Sequence, residues 1–135
     1  MIPPFNDDGY LPPGVYPATL AEIDARFGQE SEIRRVQMES IRWLVDLAAR
    51  AGVRRIILNG SFVTDIMEPN DVDCVLLAES KFPVDAAAAA ELTAGLPFLE
   101  TRMVGVEDLD LFVNIIFASD RNEIRKGMVE VIREP

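Results

Sequence analysis

Apolar residues recur at helical spacing in two stretches near the start of the chain. Leu20, Ile23 and Phe27 form one stripe, bounded by Thr19 and Gly28. Thr19 and Glu22 have the spacing of a capping box, and Gly28 is a suitable stop. Ile33, Val36, Ile41, Leu44, Val45 and Ala48 form a second stripe, with Ser31 as cap and Gly52 as stop. Arg34, Arg35, Arg42 and Arg50 fall off that stripe or at its edge. After Gly52 the pattern changes. Ile56 to Leu58 is a short run of strand type that ends at Asn59-Gly60, and Thr64 to Asn70 reads as a loop. Val72 to Leu77 reads as a second strand. The Ala-rich segment Val84 to Ala94 has high helix propensity. Leu109 to Val113 alternates like a third strand, and Met128 to Ile132 like a fourth. Residues 1–17 are Pro-rich and read as an N-terminal arm without regular structure. The order of elements predicts a single α/β (α+β) domain over residues 1–135. Its core is a small mixed sheet of three to five strands with flanking helices.

Composition narrows the chemistry. The 135 residues contain no histidine and one cysteine, Cys74. That excludes Ser–His and Cys–His catalysis, histidine metal ligands, an internal disulfide and a Cys-rich zinc site. Catalysis, if any, rests on carboxylates, hydroxyls, Lys or Arg, and carboxylates favour hard, oxygen-loving metals. Thirteen Lys and Arg against 23 Asp and Glu leave a net charge of −10. Such a surface repels phosphate backbones, so stable nucleic-acid binding is disfavoured and a basic protein or a cation suits it better. No apolar run is long enough for a membrane span. The lone cysteine and the absence of a signal-peptide pattern at the start make the expected location cytoplasmic.

The stretch Leu58 to Leu77, LNGSFVTDIMEPNDVDCVLL, carries the chemical signal. Gly60-Ser61 ends a buried-type strand, where glycine permits a sharp turn and close approach of a ligand. Asp71 and Asp73 are two apart on a strand and so share a face. Two carboxylates about 5 Å apart at an effective dielectric of roughly 20 repel by about 3 kcal/mol. No Lys or Arg lies between Arg55 and Lys81 to offset this. Either one proton is shared or a cation sits between them. Asp108 and Asp110 alternate with Leu109, Leu111 and Val113. Either aspartate can complete a three-carboxylate cluster, and Asp110, deeper in the apolar run, is preferred.

Gly60-Ser61, a spacer, the apolar-flanked pair Asp71 and Asp73, and the later Asp110 together resemble the nucleotidyltransferase superfamily related to DNA polymerase beta, in its minimal form. The flanks Leu11 to Gly28 and Ser119 to Ile132 resemble a small bacterial group within it. The resemblance implies a Mg²⁺- or Mn²⁺-dependent transfer of NMP from a nucleoside triphosphate to an acceptor hydroxyl. Gly60 and Ser61 would hold the triphosphate. Asp71 and Asp73 would bind metal, and Asp110 would bind a second metal or activate the acceptor. The resemblance also admits a regulatory binding module or toxin–antitoxin component without turnover. The spacer Phe62 to Asn70 lacks the basic residues usual in minimal relatives. Arg121, Arg125 and Lys126 supply that charge if the C-terminal segment folds over the site. With no second domain, the acceptor site must come from the arm, an oligomer or, as expected from the charge, a separate protein.

Overall fold

Thr19 caps the first helix as its spacing to Glu22 predicts. Its hydroxyl accepts the Glu22 N–H at 3.2 Å, and the Glu22 carboxylate accepts the Thr19 N–H at 3.1 Å. In the computed structural model, which describes residues 2–111 and 125–133, that helix is α1 (Leu20–Phe27). Ser31 caps α2 (Glu32–Ala51), and Gly52 closes it at φ +93°, a left-handed conformation that favours glycine. Asp85 caps α3 (Ala86–Ala94) through a bond from the Ala88 N–H.

The strands are β1 (Val15–Thr19), β2 (Val53–Asn59), β3 (Val72–Ala78), β4 (Leu99–Val104) and β5 (Met128–Ile132). They form one mixed sheet in the order β1-β5-β2-β3-β4. The outer pairs β1–β5 and β3–β4 are parallel, and the central pairs are antiparallel. The protein is therefore an α+β domain with a five-stranded mixed sheet and flanking helices. One sheet face packs Ile56, Leu58, Cys74 and Leu76 against Ile41, Leu44 and Leu92 of the helices. The other buries Ile57, Val75, Leu77 and Val104 with Leu109 of α4 (Val106–Leu111). Among the described residues, no helix is long and apolar enough to cross a membrane.

Three expectations change. The arm is not without regular structure, because Val15–Thr19 is an edge strand, where Pro17 costs no central ladder bond. The arm is also docked on its own domain. Leu11 is fully buried, and the Phe5 ring lies 6.1 Å from Phe27 with the Arg26 guanidinium over it at 4.4 Å. The segment from Leu109 is not a strand, since Val106–Leu111 is helical. Val106 and Leu109 are three apart, so the alternation of VEDLDL also fits a helix with one buried residue. Glu107 and Asp108 in its first turn favour that choice. Phe112 and Val113 lie outside the described residues. Finally, Arg34 is not at the edge of the α2 stripe but inside the core, 2% exposed.

Candidate functional site: an acidic cleft on the open sheet face

Asn59 of β2 and Asp73 of β3 are opposite each other in the antiparallel ladder, and Asp73 is opposite Glu100 in the parallel one. Directly opposite residues share a face, so Asn59, Asp73 and Glu100 form a row across three strands. The next row carries Ile57, Val75 and Arg102. Asp73, Cys74, Glu100 and Arg102 line a cleft of about 160 Å³.

Gly60 fixes where the Asp73 carboxylate sits. Its backbone has φ +80°, and a Cβ built there would lie 2.4 Å from Asp73 Oδ2. Only a residue without a side chain lets the carboxyl settle against the turn. The Asp73 carboxyl is pushed up to about 6, chiefly by burial; Glu100, within hydrogen-bonding reach, and the charge of Asp71 act in the same direction, while Lys126 opposes them. Below about 6 the Asp73 carboxyl carries a proton that it can donate to Glu100. The row is acceptor-rich: the Asn59 side-chain oxygen Oδ1 is buried and, among the described residues, meets no donor.

The turn that carries Gly60-Ser61 is held from below. Arg34 donates six hydrogen bonds to five backbone carbonyls, those of Phe27, Ser61, Phe62, Thr64 and Ile66. Ser31 donates to the Met67 carbonyl at 2.8 Å, and Gln37 to that of Pro69 at 2.7 Å. One face of α2 thus grips the whole spacer from Ser61 to Pro69 and delivers the chain to Asp71. The spacer has no cation of its own because a buried one reaches it from α2. Burial lowers the Arg34 pKa from its ordinary value.

Of the sequence-predicted residues, Gly60 and Asp73 are in contact, and Asp71, exposed just before β3, is close enough to act on Asp73. Ser61 starts a single 3-10 turn, Ser61–Val63, and is partly buried. Asp110 is a correction. It stands on α4, not on a strand beside β3, and its charge acts on Arg55 of β2, which is bound bidentately by Glu130. Asp108 is exposed on the same helix. Among the described residues, no three or more His, Cys, Asp or Glu side chains gather as a metal-holding group. The carboxyl that does meet Asp73 is Glu100. It went unseen because LETRMV, Leu99 to Val104, mixes polar and apolar residues, as an edge strand does. The available signal was position: a parallel strand must follow the helix that follows β3. Arg121 lies outside the described residues.

The fold is a small α+β domain, and among the described residues the row that lines its cleft, Asp73 and Glu100, is acidic. The chain belongs to DUF6932, a family of unknown function whose family model matches residues 3–132. Neither a curated protein nor a solved structure matches it.

Proposed function

We propose that the protein is a Mg²⁺- or Mn²⁺-dependent nucleotidyltransferase that moves NMP from a nucleoside triphosphate to an acceptor hydroxyl on a separate protein. The observation that carries this reading is the placement of the Asp73 carboxyl, between the Gly60 turn and Glu100. A carboxyl held against a glycine turn puts oxygen donors beside backbone that a phosphate can approach closely.

The donor set fits a hard cation. Asp73 and Glu100 lie within hydrogen-bonding reach of each other, and Asp71 is near enough for its charge to act on Asp73. Mg²⁺ is commonly held by one or two carboxylates with substrate phosphates completing the shell, so an all-protein cage is not required. Bound there, the ion would supply charge neutralisation for phosphates and for the leaving pyrophosphate. The chain's own residues have distinct tasks. Gly60 keeps the turn open, and Arg34 holds it rigid. Asp73 and Asp71 provide oxygen ligands. Glu100, the exposed member of the pair, would take the proton of the acceptor hydroxyl as its oxygen attacks the α-phosphorus. The bond from that phosphorus to the bridging oxygen of pyrophosphate then breaks.

A second reading, a regulatory or toxin–antitoxin module of the same architecture that binds without turnover, is favoured by one observation: the spacer Phe62 to Asn70 presents no Lys or Arg. The two are separated by mass spectrometry of the protein pool from its native host, after incubation with the chain, Mg²⁺ and nucleoside triphosphates. A mass increase of one NMP on a protein, absent with Asp73→Asn, is expected. Metal-dependent nucleotide binding with no adduct on any protein would favour the module.

A further inference from the structure

Arg102 stands on the same face of the sheet as the carboxyl row, two residues after Glu100 and opposite Val75. Its side chain lines the cleft with Asp73 and Glu100. Lys126 lies two residues before β5, whose antiparallel register on β2 sets Leu58 opposite Val129 and so runs the residues before Met128 past Asn59 and Gly60; its charge acts on Asp73. Most arginines here are already engaged. Arg42 and Arg50 pair with aspartates, Arg55 with Glu130, and Arg26 and Arg34 with backbone carbonyls. Among the described residues, neither Arg102 nor Lys126 has a hydrogen-bond or salt-bridge partner. In a chain of net charge −10, two uncommitted cations beside a carboxyl pair are an unusual use of scarce positive charge. A cleft lined by two carboxyls and an arginine suits neither a bare cation nor a bare anion. It suits a cation already chelated by a polyanion, with the acids facing the metal and the cations facing the remaining phosphate oxygens.

We propose that Arg102 and Lys126 form the polyphosphate-binding wall of the cleft, supplying from β4 and the β5 approach the charge that the spacer lacks. The proposal deepens the nucleotidyltransferase reading and rests on it for the identity of the nucleotide. Arg102 contributes the planar, bidentate contact and Lys126 a point charge, so the arginine carries more of the binding. The ligand class is a magnesium polyphosphate, which offers oxygens to a metal and to the two cations at once.

The test uses the full chain and Mg²⁺ with inorganic tripolyphosphate, followed by calorimetry. Arg102→Gln should weaken binding roughly tenfold, the loss of about one charge-assisted contact. Lys126→Gln should weaken it less, and the double variant more than either. Raising salt should weaken the wild type more steeply than the double variant. Binding of Mn²⁺ alone should be unchanged or tighter in Arg102→Gln, and NMP binding should hardly move. Arg102 is exposed, so thermal unfolding should be unaltered, which separates a lost contact from a lost fold. Equal tripolyphosphate affinity in wild type and double variant would overturn the proposal, as would a wild type that does not bind it. If binding depends on Arg102 and yet no protein acquires a nucleotide, the wall stands and the transfer reading falls.

Discussion

The Asp73 carboxylate lies against the Gly60 backbone so closely that a methyl group on residue 60 would meet Oδ2 at 2.4 Å. Gly60→Ala therefore meets two obstacles, the left-handed backbone at φ +80° and the carboxylate itself. The variant should lose about 1–3 kcal/mol of stability in urea denaturation. Part of that loss belongs to the Asp73 side chain. The double variant Gly60→Ala, Asp73→Ala should consequently lose less than the sum of the singles, by at least about 0.5 kcal/mol. Strict additivity would mean that the contact carries no energy.

Asp73 also makes stability depend on pH. Its carboxyl is raised from 3.8 to about 6 in the folded protein, chiefly by burial. The native state binds this proton more tightly than the unfolded chain does. The group's contribution is therefore complete below its unfolded value and is lost as pH rises through about 6. Asp73→Asn removes that loss. The variant should be more stable than wild type near pH 8 by about 1–2 kcal/mol, after discounting the full shift for partial solvent exposure. The advantage should shrink toward pH 4.5 (roughly the low end of the titration window). A stability difference independent of pH would rule out this account.

Arg34 is the third test. Removing its guanidinium leaves five carbonyls short of a donor, three of them within the Ser61 to Thr64 segment. Arg34→Leu should cost about 3–5 kcal/mol, on the scale of breaking a buried charged network. Arg34→Lys should recover only part, because an ammonium cannot serve the same fork of acceptors. The spacer should be cut faster than the rest of the chain by a protease of broad specificity. A loss below about 1 kcal/mol would show that water replaces the arginine there.

Much of this arrangement is legible before any coordinates. The caps at Thr19 and Ser31, the stop at Gly52 and the strands around Gly60 and Asp73 follow from local spacing. The rest depends on tertiary context. A stripe read from apolar residues cannot contain Arg34, because burying a guanidinium is favourable only if a particular loop offers its carbonyls. Leu109 is buried whether its segment is strand or helix, so the alternation around it did not separate the two. Glu100 and Arg102 lie in a strand with little hydrophobic signature, and its partnership with β3 becomes visible only once α3 is placed between them. The carboxyl that meets Asp73 stands ten residues before Asp110, the one that the alternation around Leu109 points to.

The parallel pairing of β1 with β5 has a consequence for how the molecule is made. Val15 is in register with Met128 and Thr19 with Ile132, so β1 must wait for β5 to be made before this ladder can form. The hairpin of β2 with β3 needs only a short closure and can form early. The β1–β5 contact closes the long loop from Thr19 to Met128, and its entropic cost must be met before any ladder bond rewards it. During synthesis, β1 and its proline-rich lead would thus wait beside α1 and α2, with their ladder edge open. An exposed edge of that kind pairs readily with other chains, so the interval before β5 emerges is when this protein is most exposed to misassembly.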